Sequence, residues 1–379
     1  MRNPFQYGGV VGGPAFCNRA QEIADLLQAA ENAEKMFIYS ERRMGKTSLV
    51  LHALGTLPKH SYTTAYIDLW PSDGQLSFVT VTAKAIAESM GSTAEHVLRA
   101  ARDFFGQLTP SVTLDEEGKP KVTFGVSRTS SVSPELELVL AAPAEIAARG
   151  KKRVVIVFDE IQRILEYEDD TVERQLRSIF QRHEAVSYLF LGSRKHLIQK
   201  MFLDRSRPLY RSAGHYPLGP IDARHWLPFV RKQFRESGKD MPDDVTANVI
   251  EFTGGHPFYT QHLCHALWEL CEAGEKVSPA LMQEAVQVLL KRETYAYTAL
   301  WESLTLTQRR LLTGLASEGE KPAKVFSSGF VRQYGLGSAS SAQRAVGALI
   351  DHDVIDRDNG SFVVADRFFR IWIQQMHMQ

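Results

Sequence analysis

Two short stretches of the chain hold residue types whose spacing suits phosphate chemistry. The first is YSERRMGKTSLV, residues 39–50, where Gly45-Lys46-Thr47 closes the pattern G-x-x-x-x-G-K-[ST]. In such a loop the backbone amides turn inward on phosphate oxygens and glycine lets the chain approach them. Lysine reaches the β and γ oxygens, and the threonine hydroxyl ligates magnesium. On this reading Ser40, Arg42, Arg43, Met44, Gly45, Lys46, Thr47 and Ser48 line the phosphates, and Lys46 also serves the reaction. Arg42 and Arg43 add positive charge, one of them facing solvent. One position departs from the pattern, which wants glycine where Ser40 stands. Its side chain either crowds the turn and weakens binding, or donates its hydroxyl to phosphate.

The second stretch is VVIVFDE, residues 154–160. A carboxylate at the end of an apolar strand can hold the water shell of a magnesium ion, which makes Asp159, with Thr47, a metal residue. Glu160 beside it can orient and polarise an attacking water. Alone, Asp-Glu after a strand is equally a solvated loop. Together with the glycine-lysine loop it points to nucleotide hydrolysis.

These residues need particular elements to carry them. KMFIY (35–39) reads as a short buried strand running into the loop, and KTSLVLHAL (46–54) as the helix that leaves it. TTAYIDLW (63–70), RVVIVFDE (153–160), SYLFLG (187–192) and GHYPLG (214–219) are further strands. Helices are expected at 21–33, 77–90, 134–149, 171–183 and 195–203. Strands that alternate with helices, several of them apolar on both faces, indicate a parallel sheet covered on both sides. Near 110–128 the period changes to two, with Val112 and Leu114, then Val122, Phe124 and Val126, alternating around DEEGKP, a β-hairpin signal. From about 222 to 292 the pattern is helical. Residues 306–365 fit a winged helix: three helices, then a hairpin turning at Asp358-Asn359-Gly360. In its third helix Ala342, Val346, Leu349 and Ile350 form the buried face, with Ser340, Gln343, Arg344 and Gly347 outward. The expected division is a nucleotide-binding core at 1–221, with the hairpin as an insertion, a helical lid at 222–295 and a winged helix at 296–379.

Composition narrows the function classes. Lys+Arg and Asp+Glu both number 44, so no polyanion partner is announced globally. Residues 301–379 hold 9 Lys+Arg against 8 Asp+Glu, a weak charge for a duplex-binding face. Three cysteines argue against a disulfide framework and fit a reducing compartment. No run is apolar enough for a signal peptide or a membrane span, so a cytoplasmic protein without a membrane partner is expected. The two histidines and two cysteines of HLCHALWELC (262–271) lack metal-ligand spacing and read as a core helix.

The order of motifs resembles the archaeal-type P-loop ATPase family, relatives of AAA+ proteins and of the signal-transducing STAND ATPases. NPFQYGG…FCNRAQEI resembles its opening, with Arg19 and Glu22 as the Arg-x-x-Glu helix start near the base. RRMGKTSLV resembles its phosphate loop, VVIVFDEIQ its magnesium strand, and LFLGSRKHL its sensor strand. PLYRS resembles the segment before the last core strand, and TGGHPFYTQHL the Gly-x-Pro motif of STAND lids. The fold implied is an AAA+/STAND-like P-loop NTPase core with helical lid and C-terminal winged helix. ATP rather than GTP comes from this resemblance alone.

The resemblance also suggests roles for several residues. Ser193 and Arg194 stand where a γ-phosphate sensor would, or merely cap a helix. Arg211 is an arginine finger, in its own subunit or across an interface, or a surface arginine. His256 and Pro257 press on base or sugar, or simply start a helix. Tyr7, Val10 and Val11 are candidates for an adenine pocket.

Three functions remain open. The first is an ATP- and Mg²⁺-dependent switch that exposes an oligomer or partner surface. STAND proteins carry a sensor array after the winged helix, so here the signal is expected from a separate protein. The second is a DNA-acting ATPase that loads on duplex through its winged helix, as archaeal origin-recognition initiators do. The third, motivated by Ser40, is a nucleotide-binding scaffold with little hydrolysis.

Overall fold

A computed structural model describes residues 2–125, 133–193, 195–318, 323–358 and 361–376. Val126, Arg194 and the Asn359-Gly360 turn lie outside the described residues. The chain forms two compact units, Arg19–Leu218 and, from two separated segments, Met1–Asn18 with Gly219–Gln379.

The first unit is built on strands β1 (Lys35–Tyr39), β2 (Tyr62–Asp68), β5 (Arg153–Asp159), β6 (Val186–Gly192) and β7 (Gly214–Pro217). They pair in the order β2-β5-β6-β1-β7, every pair parallel. β6 is buried at every position and β5 at every position after Arg153, which explains their unbroken apolar runs. The edge strands β2 and β7 keep polar residues. Helices α1 (Ala20–Glu31), α2 (Lys46–Thr56), α3 (Gln75–Ser89), α4 (Ala94–Phe105), α5 (Ser133–Gly150), α6 (Thr171–Phe180) and α7 (Lys195–Leu203) complete the unit. The sequence reading did not mark α4, although Val97, Ala101, Phe104 and Phe105 form its buried stripe. β3 (Pro110–Leu114) and β4 (Pro120–Phe124) make the expected hairpin, with Val112 opposite Val122.

The second unit contains α8 (Ala223–Glu236), α9 (Asp243–Thr253), α10 (Pro257–Leu270) and the long α11 (Pro279–Ser303). It continues with α12 (Leu306–Glu318), α13 (Ser328–Gln333), α14 (Ala339–Asp351), the antiparallel pair β8 (Ile355–Asp358) and β9 (Ser361–Val364), and α15 (Arg367–Met376). α11 runs unbroken through 295–296, where the sequence reading divides lid from winged helix. Its Tyr297 ring packs against Phe369 at 5.1 Å and Trp372 at 6.0 Å, so helices α8–α11 and the winged-helix module share one core. On α14, Ala342, Ala345, Val346 and Leu349 are buried, while Ser340, Gln343 and Arg344 are exposed. Ile350 and Gly347 are half-buried.

The N-terminal segment packs into this helical unit. Phe5 is buried with its ring 5.3 Å from Phe234 and 6.3 Å from Phe229. Asn3 Nδ2 donates to the His265 carbonyl at 3.1 Å, and Gln261 Nε2 to the Ala15 carbonyl at 2.8 Å.

Candidate nucleotide site

The phosphate loop joins β1 to α2, and its shape is set by two residues with positive φ, Arg43 (59°) and Gly45 (85°). Gly45 caps the N-terminus of α2; a Cβ there would meet no neighbour, so the backbone conformation, not space, calls for glycine. Below the loop, Arg19 is buried, donating to Glu22 at 2.6 Å and to the Met44 carbonyl at 3.4 Å. The Arg-x-x-Glu pair thus pins the loop backbone from the start of α1.

Lys46, only 6% exposed, donates from Nζ to Ser40 Oγ at 2.8 Å and to the Glu41 carbonyl at 3.2 Å. The Ser40 hydroxyl spends its own proton on the Glu41 carbonyl at 2.8 Å. The residue in place of glycine therefore accepts from the lysine. Met44 and Ser48 are buried in the loop and first helical turn, whereas Arg42 and Arg43 are both exposed.

Asp159, 5% exposed, ends β5 facing α2. Its Oδ2 accepts from Thr47 Oγ1 at 2.7 Å and from Tyr66 hydroxyl at 2.5 Å; its Oδ1 accepts from the Glu160 amide at 2.8 Å. Burial, together with the adjoining Asp159 carboxylate, pushes the Tyr66 phenol far above its ordinary pKa, so its hydroxyl stays a donor. Glu160 adopts φ 53° and turns its carboxylate to the end of β6, where Ser193 Oγ donates at 2.9 and 3.1 Å. The buried Gln162 amide donates to the same carboxylate. Gly192 makes room for this: a Cβ there would lie 2.8 Å from Gln162 Oε1 and collide with Ile198.

Strand ends β1, β5 and β6 thus bring Ser40, Lys46, Thr47, Asp159, Glu160 and Ser193 together. Arg211 is placed otherwise. It sits exposed at φ 48° on the loop before β7, its guanidinium 5.4 Å from the Tyr210 ring centroid and its amide bonded to the Phe202 carbonyl. That loop is held by α6, through a Glu173–Arg207 ion pair and an Arg177 bond to the Tyr210 carbonyl at 2.7 Å. His256 and Pro257 belong to the helical unit, where His256 caps α10 with Pro257 as its first residue. The Gly255 carbonyl before them accepts from the Ile221 amide and from Trp226 Nε1, both at 3.0 Å. Tyr7 stacks on His262 at 4.0 Å, and Val10 is exposed.

Tyr66 and Gln162 were missed by the sequence reading. Tyr66 faces Val157 in the parallel register and Asp68 faces Asp159, so Tyr66 and Asp159 share a sheet face two residues apart. Only the register could have shown that.

The donor set fits a nucleotide with a hard cation. A buried ammonium lies at the N-terminus of a helix, and a hydroxyl and a carboxylate meet at 2.7 Å. Among the described residues, no group of three or more His, Cys, Asp or Glu could hold a metal. A cation that takes one or two protein oxygens beside phosphate is the kind such a site suits.

A family model described as an ATPase domain predominantly from Archaea matches residues 16–263. The chain belongs to this ATPase family. A second model, a probable winged helix domain, matches residues 295–375 of the ATPase. The ATPase is also similar to a Walker-type ATPase of Pyrococcus abyssi, with 16% identity, TM-score 0.63 and 95% of this chain and 96% of that chain covered. Against the ORC2 protein of Aeropyrum pernix, in ADPNP–ADP complexes, the identity is 13%, the TM-score 0.52 and the coverage 95% and 94%. At these identities the likeness is one of fold. No protein of curated function matches. ATPase activity follows from the family and the winged helix from the second model.

Proposed function

We propose that this ATPase is a nucleotide-operated molecular switch of the STAND/AAA+ kind, working in the cytoplasm, whose nucleotide state governs assembly with a second copy or a protein partner. The observation that carries the reading is the linkage of three strand ends. Thr47 is tied to Asp159, and Ser193 is tied to Glu160, so a change at the phosphates reaches both β5 and β6. The adenine nucleotides of the A. pernix ORC2 complexes favour ATP as the substrate here.

In this reading Lys46 leaves Ser40 for the phosphate oxygens, and the amides around Gly45 complete the cradle. Thr47 and Asp159 hold Mg²⁺, which when bound neutralises charge on the phosphates. Glu160 takes the proton of the attacking water at its carboxylate, with Ser193 fixing its direction. Arg211 supplies positive charge, within its own subunit or to a neighbour, and His256-Pro257 passes nucleotide state into the helical unit. No helix among the described residues is long and apolar enough to cross a membrane.

A second reading, a DNA-acting ATPase, is favoured by one observation: α14 exposes Ser340, Gln343 and Arg344 on one side, as a groove-entering helix would. Turnover measured with and without duplex DNA, with Lys46→Ala as blank, separates the readings. Slow turnover indifferent to DNA supports the switch. Acceleration by DNA moves the second reading ahead. Nucleotide binding without turnover leaves a scaffold and sinks both.

A further inference from the structure

Asp159 has less free acceptor capacity than a metal-supporting carboxylate is usually given. A carboxylate oxygen offers two in-plane acceptor sites. Oδ2 already accepts two hydroxyl hydrogens, from Thr47 at 2.7 Å and from Tyr66 at 2.5 Å, and Oδ1 is engaged by the Glu160 amide. The Thr47 bond is compatible with metal ligation, because that hydroxyl can donate to Asp159 while offering a lone pair to the cation. The Tyr66 bond fills the second acceptor site on Oδ2, the oxygen that also takes the Thr47 hydroxyl. Tyr66 stands on β2, in a different element from the loop, and reaches Asp159 only because β2 pairs with β5 in the register Asp68 to Asp159. The phenol is itself half-buried.

We propose that Tyr66 is a positioning residue that competes with the water shell of a divalent cation for Asp159, raising the magnesium concentration the nucleotide site requires. Tyr66 stabilises the metal-free carboxylate, and that stabilisation is lost when a cation-bound water replaces the phenol hydroxyl. The proposal rests on the reading of Thr47 and Asp159 as the magnesium residues.

The test is thermal unfolding of the full chain at saturating ADP across a MgCl₂ titration, for the native protein and for Tyr66→Phe. Tyr66→Phe is expected to melt lower without Mg²⁺ and to reach the native melting temperature with it. Its half-effect concentration of Mg²⁺ should fall about tenfold to a hundredfold, the worth of one hydrogen bond to a charged group. An unchanged or raised half-effect concentration overturns the proposal, whatever the loss of stability. Tyr66→Leu, which also lacks the hydroxyl, carries the same expectation. If neither variant folds even with ADP and Mg²⁺, the cation does not replace the hydroxyl and the proposal fails. If the native protein shows no Mg²⁺-dependent rise with ADP, the nucleotide-site reading fails instead.

Discussion

Ser40 accepts a hydrogen bond from the Lys46 ammonium at 2.8 Å. Glycine at that position would remove this acceptor, so the serine gives a buried charge a resting partner inside the loop, beside the Glu41 carbonyl. Under the proposed function that contact is lost when the ammonium turns to phosphate.

Ser40→Gly restores the full loop pattern and removes that partner. The nucleotide-free protein should lose about 1–2 kcal/mol, while the nucleotide-bound form stays near native stability. The melting-temperature rise on adding ADP is therefore larger in the variant than in the native chain. An equal rise in both would show that Lys46 keeps its bond to Ser40 when nucleotide binds.

Glu160→Gln keeps the shape of the side chain but removes the proton acceptor. Turnover should fall by about 10²-fold or more, with nucleotide affinity retained. Single-turnover hydrolysis and equilibrium binding, measured on the same preparation, check the two halves separately. Turnover that survives the change would remove Glu160 from the reaction.

At Gly192 the strand end passes so close to Gln162 and Ile198 that no Cβ fits. Gly192→Ala should cost about 1–3 kcal/mol of stability by overpacking, read from urea unfolding. Because Ser193 follows directly and holds Glu160, turnover should fall further than the stability loss alone explains.

His183 supplies a pH dependence. Burial, with the Lys35 ammonium nearby, holds its imidazole below the ordinary value of 6.5. Its Nδ1 lies 2.7 Å from the Tyr188 hydroxyl. The unfolded chain binds the proton more readily, so stability is fully present above the unfolded value and declines as the pH falls through it. Melting temperatures from pH 8 to 5 should drop on the acid side, and His183→Gln should flatten part of that slope.

Much of the α/β unit was legible because its signals are local. The apolar runs of β5 and β6 mark strands buried on both faces, and Gly45-Lys46-Thr47 between strand and helix marks the loop. Asp159 and Glu160 stand out by their position at the end of an apolar strand, and Thr47 by following Lys46 at the start of α2. Other features depend on partners far away in sequence. Tyr66 looks like an ordinary strand residue until the register sets it beside Asp159. Ser193 could be named, but its bond to Glu160 spans two strands. α4 was overlooked because its buried stripe of alanines and phenylalanines lies between turn-rich flanks. The family resemblance placed His256 and Pro257 at a motif; which groups surround them had no sequence signal.

The packing of Phe5 against Phe229 and Phe234 has a consequence for how the chain matures. Residues 3–17 are synthesised before the α/β unit, yet their partners are encoded after it. The unit Arg19–Leu218 has all its strands once β7 has emerged and can close on its own core. The helical unit must wait for α8 and α10, with Phe5 held as an exposed apolar residue until then. The segment ahead of the nucleotide loop is thus among the last to be ordered, and folding of the helical unit is gated by completion of its distant half.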